Sequence, residues 1–417
     1  MKRSGVQPIR YWLALCWALL FTTSAWPGPP SATKAVLSDY VSVVDEPLQR
    51  GTCYVNATIN GHELTLLVDT GFGLELLLTE EASAKLGLQL RPSDLERIAG
   101  SADVVFETAE SGPESPTLAV QAFVYDFPGK APFDGILGWK LLRHAVWEFD
   151  YPGKRHAFHG ELPGEVREQW VSFPLDQQHV GGNLAITVPV DGFDRKVIVD
   201  TGASVGLALN ANLWRKWLTE HQPRWLTVQA GMSPGTAGMI HVTPVAVDDN
   251  ARIGDFELGK VVVTKSFFEV NLGGDRINLP YVIGTDALRH RRVFFDGPGQ
   301  RVYFGPLGGA NGELPVINRA QATFAPTEVE SGLLMAYVLE GGVAHRAGLR
   351  DGDRLLEIDG VDKREWYKSF NKGKRNSFEA GPGTRVKVLV LREGEQREIE
   401  VTLGRSPLDD DAPGEGP

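Results

Sequence analysis

Residues 53–71 read CYVNATINGHELTLLVDTG, and residues 184–202 read LAITVPVDGFDRKVIVDTG. Each stretch is strand-like and is broken once by a turn signal, Asn60-Gly61 in the first and Asp191-Gly192 in the second. Such dipeptides between apolar runs mark tight hairpins, because both central residues of the favoured turn need positive φ. Each hairpin then runs into the same tripeptide, Asp69-Thr70-Gly71 and Asp200-Thr201-Gly202. Downstream, an apolar-apolar-Gly step recurs as Ile136-Leu137-Gly138 and Val282-Ile283-Gly284. A longer echo follows, LLRHAVWEFDYPGKRHAF at 141–158 against ALRHRRVFFDGPGQRVYF at 287–304. The aspartates lie 131 residues apart and the echoes 146, so the second copy is longer inside and otherwise the same unit. The chain is a tandem duplication that supplies one carboxylate per copy.

A carboxylate on a tight turn becomes chemically special when a second is held against it. Two like charges a few ångströms apart cannot both ionise comfortably, so the pair shares one proton and its two apparent pKa values spread. The ionised member can then take a proton from water while the protonated member polarises a carbonyl. Gly71 and Gly202 let the backbone turn sharply beside each carboxylate. Thr70 and Thr201 place a hydroxyl next in line, suited to bonding across to the opposite loop.

On these marks (the doubled Asp-Thr-Gly turns, the strand pair before each, and the apolar-apolar-Gly step after each) both copies resemble the retropepsin-like and pepsin-like aspartic proteases. The resemblance implies a mainly β fold of two tandem, pseudo-twofold-related β-barrel lobes. It implies Asp69 and Asp200 as the catalytic dyad, supported by Thr70, Gly71, Thr201, Gly202 and Ser204. A flap over an extended peptide would lie in 98–111 and in 229–243. Asp200-Thr201-Gly202-Ala203-Ser204 keeps the family's small residues, whereas Phe72 follows Gly71 where a small or hydroxyl residue is usual and cannot donate a side-chain hydrogen bond. Two functions follow from this pattern: an endopeptidase acting through a dyad-activated water, or a catalytically inactive peptide-binding scaffold on the same lobes.

From about residue 323 the composition changes. GLLMAYVLEGGVAHRAGLRDGDRLLEIDG, followed by GPGTRVKVLVLREGEQREIEVTL, resembles a bacterial PDZ domain of α+β type. Such domains add an extended chain end as a strand to a sheet edge. The resemblance places the peptide-binding loop at Gly332, Leu333, Leu334 and Met335, with Leu334 standing where a second glycine is usual. Docking of this module against the lobes is the alternative use of the same surface.

The expected organisation is a signal peptide at 1–25, a lead-in at 26–50, lobes at 51–160 and 161–310, a PDZ domain at 323–404 and a disordered tail at 405–417. Lys2, Arg3 and Arg10 around an apolar run from Tyr11 to Phe21, then Thr23-Ser24-Ala25, read as a cleavable export signal, with no membrane span retained after cleavage. Cleavage would remove Cys16 and leave Cys53 alone, a small buried hydrophobe at a strand start. An exported chain without disulfides points to a bacterial periplasm or the extracellular space. A net charge of −11 argues against nucleic acid as a partner. Polypeptide substrates and a PDZ peptide ligand are the expected partners, and no cofactor or metal is implied. His156 and His159 lack nearby residues to complete a ligand set and read as same-side or surface strand histidines. Ser204 has no evident histidine base, and Lys368, Lys372, Lys374 and Arg375 read as a solvated face.

Overall fold

The computed structural model describes residues 38–39, 52–93, 98–107, 117–127, 131–176, 182–223, 225–232, 240–266, 269–272, 275–278, 281–308, 318–326, 332–371 and 377–406. The export signal, the tail, the tips of both flap candidates and most of the lysine-rich cluster lie outside these residues.

Both turn signals fold as their chemistry requires. Asn60 and Gly61 take φ of 48° and 78°, and Asp191 and Gly192 take 52° and 77°, closing hairpins between Tyr54–Ile59 and His62–Asp69 and between Ala185–Val190 and Phe193–Asp200. In lobe one the strand order is Tyr54–Ile59, His62–Asp69, Gly135–Gly138, Leu76–Thr79, Thr117–Tyr125, Ile98–Glu107, Arg91–Pro92. Lobe two repeats it position for position: Ala185–Val190, Phe193–Asp200, Tyr281–Gly284, Leu207–Leu209, Phe256–Lys265, Ile240–Ile253, Leu226–Met232. The recurring apolar-apolar-Gly step is the parallel neighbour of each aspartate strand, with Asp69 in register with Gly138 and Asp200 with Gly284.

The expected barrels are curled sheets. In lobe one the path returns on itself, Thr58 pairing with Glu107 and Ile59 with Phe106. In lobe two no such closing pair occurs among the described residues. Two of the described helices begin at side-chain caps. Thr79 accepts from the Ala82 amide at 3.1 Å to start Glu80–Lys85, and Gly87 leaves it at a φ of +62°. Asn210 caps Ala211–His221 by accepting from the amides of Asn212 and Leu213.

The long echo builds the floor that joins the lobes. Val146–Asp150 and Arg155–His159 from the first copy lie beside Arg292–Asp296 and Arg301–Phe304 from the second in one six-stranded sheet. The short strand Ser38–Asp39 pairs with Arg155–His159 at one edge, and Val171–Pro174 covers Arg301–Phe304 at the other. The two copies meet antiparallel, with Glu148 opposite its own counterpart Phe294, so the pseudo-twofold axis passes through that pair. One hydrophobic core, including Val68, Phe149, Val199 and Phe295, runs without a break through both lobes. On the far face, Glu148 bonds His159 at 2.8 Å and the Arg292 guanidinium, while Val166 and Trp170 from the inter-lobe segment pack onto Phe294. His156 points the other way and stacks on Trp147, so the two histidines occupy opposite faces of one strand, not the same side or the surface.

The C-terminal module is a separate sheet of order Ala322–Pro326, Leu334–Val338, Arg354–Ile358, Arg385–Arg392, Glu395–Thr402, with Val361–Asp362 also paired to Arg354–Ile358. Its own core holds Phe324, Leu355, Trp366, Phe378 and Val388. The Gly352-Asp353 turn is fixed because Asp353 accepts from the Arg350 amide at 2.9 Å and pairs with Arg392. The module is not free of the lobes. Gln321 donates to the Leu226 carbonyl at 2.6 Å, and Thr227, itself buried, donates to the Asn318 carbonyl at 2.9 Å.

Candidate active site

Each Asp-Thr-Gly sits where a strand buried on both faces ends, and the shared core brings the two strand ends together. Thr70 and Thr201 are fully buried and bond reciprocally. The Thr70 amide donates to Thr201 Oγ1 at 3.0 Å and the Thr201 amide to Thr70 Oγ1 at 3.1 Å. Each hydroxyl then donates onward to the carbonyl two residues before its partner threonine, Thr70 to Val199 at 2.6 Å and Thr201 to Val68 at 2.8 Å. Four bonds therefore lock the loops about the pseudo-twofold axis.

The glycines finish the approach. A Cβ on Gly71 would run into the Asp200 carboxylate, and one on Gly202 into that of Asp69. Only a residue without a side chain lets each loop come this close to the opposite acid. The two carboxyls lie against each other, close enough for a proton to bridge them. Burial pushes Asp69 well above the ordinary carboxylate range, and the nearby Asp200 charge and the shared hydrogen bond push it the same way. Burial also raises Asp200, but the hydrogen bond from Asp69 and those from the Gly202 and Ala203 amides oppose the rise. Both carboxyls are thus raised, Asp69 the more strongly, and the two titrate as one coupled pair. Asp200 Oδ1 accepts from the Gly202 amide at 2.9 Å, whereas Asp69 Oδ1 is buried with no hydrogen-bond partner among the described residues.

The remaining expected residues divide. Ser204 is half-buried and bonds neither aspartate among the described residues. Phe72 turns its ring onto a lobe-one aromatic cluster and passes close to Gly138. Gly332 adopts a φ of +56°, but Leu334 and Met335 lie in an inner strand paired on both sides, to Ala322–Pro326 and to Arg354. That strand has no open edge for an added peptide. The outer strand on that side is Ala322–Pro326, whose five residues are all buried and which lies beside Leu226–Met232 of lobe two, while Glu395–Thr402 forms the opposite edge. The loop motif drew attention to the strand after it, and nothing in its own residues shows which neighbour is outermost. Sequence reasoning also missed Tyr151, whose phenol is pushed up by burial and, to a lesser extent, by the nearby Cys53 and Asp200.

Comparison with known proteins agrees with two of these parts. Residues 55–141 match the aspartyl protease family model, and residues 335–364 match the PDZ domain model. The chain is 32% identical over 100 residues to a probable periplasmic serine endoprotease DegP-like of Pseudomonas fulva, covering 22% of this chain and 19% of that one. It is 33% identical over 79 residues to the periplasmic pH-dependent serine endoprotease DegQ of Escherichia coli, covering 19% and 16%. The chain thus spans less than a quarter of the length of these relatives. Among solved structures, the aspartic proteinase of Irpex lacteus aligns with a TM-score of 0.41 at 10% identity, over 66% of this chain and 98% of that one. Soybean basic 7S globulin aligns with a TM-score of 0.35 at 12% identity, over 61% and 91%. The chain therefore combines an aspartyl protease-like region with a C-terminal PDZ domain on a mainly β fold.

Proposed function

We propose that this chain is an exported aspartic-type endopeptidase whose dyad is Asp69 and Asp200, and whose C-terminal PDZ module recruits a substrate or partner. The observation that carries the reading is a pair of half-buried carboxyls brought against each other on a symmetric threonine lock, each raised by burial. A buried acid pair is costly to maintain, and the hydrogen bonds around it fix its geometry rather than separating the charges.

In the reaction so proposed, Asp200 takes a proton from a water as the water oxygen bonds to the scissile carbonyl carbon. Asp69 gives its proton to the carbonyl oxygen, and the tetrahedral species forms without a covalent link to the protein. Collapse breaks the C–N bond, the leaving nitrogen takes the proton from Asp200, and the hydroxyl proton returns to Asp69. No charge builds on an unpaired group at any stage. Thr70, Gly71, Thr201 and Gly202 hold the two carboxyls at this spacing. The periplasmic relatives and the basic, apolar N-terminus support export, and the domain limits 51–160, 161–310 and 323–404 complete the reading.

The test is cleavage of an unfolded protein from acid to neutral pH by wild type, Asp69→Asn and Asp200→Asn. The expected result is a bell-shaped profile for wild type and a loss of at least about 10³-fold in each variant. Folded protein with no cleavage at any pH would leave the peptide-binding scaffold as the better description.

A further inference from the structure

The two walls flanking the dyad are the same structure built from residues of different size. In lobe one, Tyr54, Leu67, Leu77 and Ile136 form a buried cluster beside the Asp69 loop. In lobe two their duplicates Ala185, Ile198, Ala208 and Val282 form the corresponding cluster beside the Asp200 loop. The topology makes this match strict, since the strands that carry them hold equivalent places in equivalent sheets. The loop residues differ in the same direction: Phe72 answers to Ala203, and Leu74 to Val205.

The difference reaches the surface. Phe72, Leu74, Phe127 and Ala131 are half-buried and rest on the lobe-one cluster, with Phe127 edge-on to Phe133 at 5.6 Å. Among the described residues, lobe two offers Val205 in that role. An apolar shelf therefore begins three residues from Asp69 and has no equal beside Asp200 among the described residues. Phe72 is anchored, since its carbonyl accepts from the Trp139 amide at 2.8 Å and its ring is backed by the cluster. A pre-positioned aromatic ring binds an apolar side chain with little ordering cost.

We propose that Phe72 is a specificity-determining residue: it makes the site select a large apolar side chain on one side of the central peptide bond of a bound polypeptide and leaves the other side permissive. This deepens the endopeptidase reading and rests on it for the identity of the ligand as an extended polypeptide. Binding does not require hydrolysis, so the two can be separated.

The experiment uses the full-length chain carrying Asp200→Asn, with labelled uncharged octapeptides that differ only in having Phe or Ala at each of the two central positions. Fluorescence anisotropy is expected to give roughly tenfold tighter binding for Phe at one central position and less than about twofold at the other. Phe72→Ser should abolish the difference, Phe72→Leu should keep part of it, and Ala203→Phe should introduce selection at the second position. Near-UV circular dichroism and the midpoint of thermal unfolding establish that each variant is folded. Equal gains at both positions, a gain that survives Phe72→Ser in folded protein, or no peptide binding at all would each overturn the inference. An asymmetric binder whose parent chain never cleaves would sink the endopeptidase reading and leave this one standing. A cleaving parent with symmetric binding would do the reverse.

Discussion

Thr70 and Thr201 each use one hydroxyl twice, accepting from the opposite amide and donating to a carbonyl on the opposite strand. Replacing Thr201 with valine keeps the shape and leaves the Thr70 amide and the Val68 carbonyl buried without partners. A loss of about 2–3 kcal/mol in chemical denaturation is expected, with Thr201→Ser recovering most of it. The dyad gives a stability signature of opposite kind. Asp69 is raised on folding, so its favourable contribution is fully present below the unfolded value of about 3.9 and is lost as pH rises through the folded value. Asp69→Asn never ionises, so thermal unfolding should show little change near pH 3 and a higher midpoint than wild type near pH 7. At this scale the sequence was most readable. The identity of the bracing residues lay in a tripeptide written twice, but their carbonyl acceptors belong to the opposite lobe and no local pattern names them.

The floor sheet shows where element-level reading stops. The echo at 141–158 and 287–304 is plain as repetition, yet repetition alone does not say that the two copies pair with each other. That follows from the antiparallel match of Val146–Asp150 with Arg292–Asp296, a contact between segments far apart in the chain. The same contact explains the buried Glu148. Burial would raise its carboxyl, but hydrogen bonds from His159 and Arg292 outweigh that and hold it below the usual value. Its contribution is present above the unfolded value of about 4.3 and is lost as pH falls through the folded one. Removing its charge weakens the bonds to His159 and Arg292, and Arg292 stays in contact with water, so Glu148→Gln should cost about 1–2 kcal/mol at pH 7 and progressively less in acid. His156, held down near 4 by burial, adds to the acid sensitivity of this sheet when it is forced to charge. Acid therefore favours the protonated site above while it loosens the floor beneath.

Across the whole molecule, the C-terminal module is attached to lobe two through the hairpin that carries the second flap candidate. Leu226–Met232 and Ile240–Ile253 form that hairpin, and its outer strand holds both Leu226 and Thr227. The module was legible from its turns, and its seating was not, because Gln321 and Asn318 precede the recognisable motif and look like linker. Gln321 is doubly placed, since its side-chain oxygen also accepts from the Val343 amide at 2.8 Å. Gln321→Ala should therefore raise amide hydrogen exchange in both Leu226–Met232 and Val343–Ala347 while leaving the core strands of lobe one unchanged. Exchange confined to the C-terminal module would show that the contact carries no strain between the two.

The floor sheet has one more consequence. Neither copy contains the whole floor sheet or both carboxyls; each is one half of a lock. Two polypeptides made separately, 26–160 and 161–417, should each lack the proposed cleavage and should regain it when mixed, with the titration breaking at equal amounts. The first piece alone bares the backbone of Val146–Asp150 and should self-associate through it. The link between the lobes then serves as a tether that sets stoichiometry, and the fold is a heterodimer that happens to be encoded as one chain.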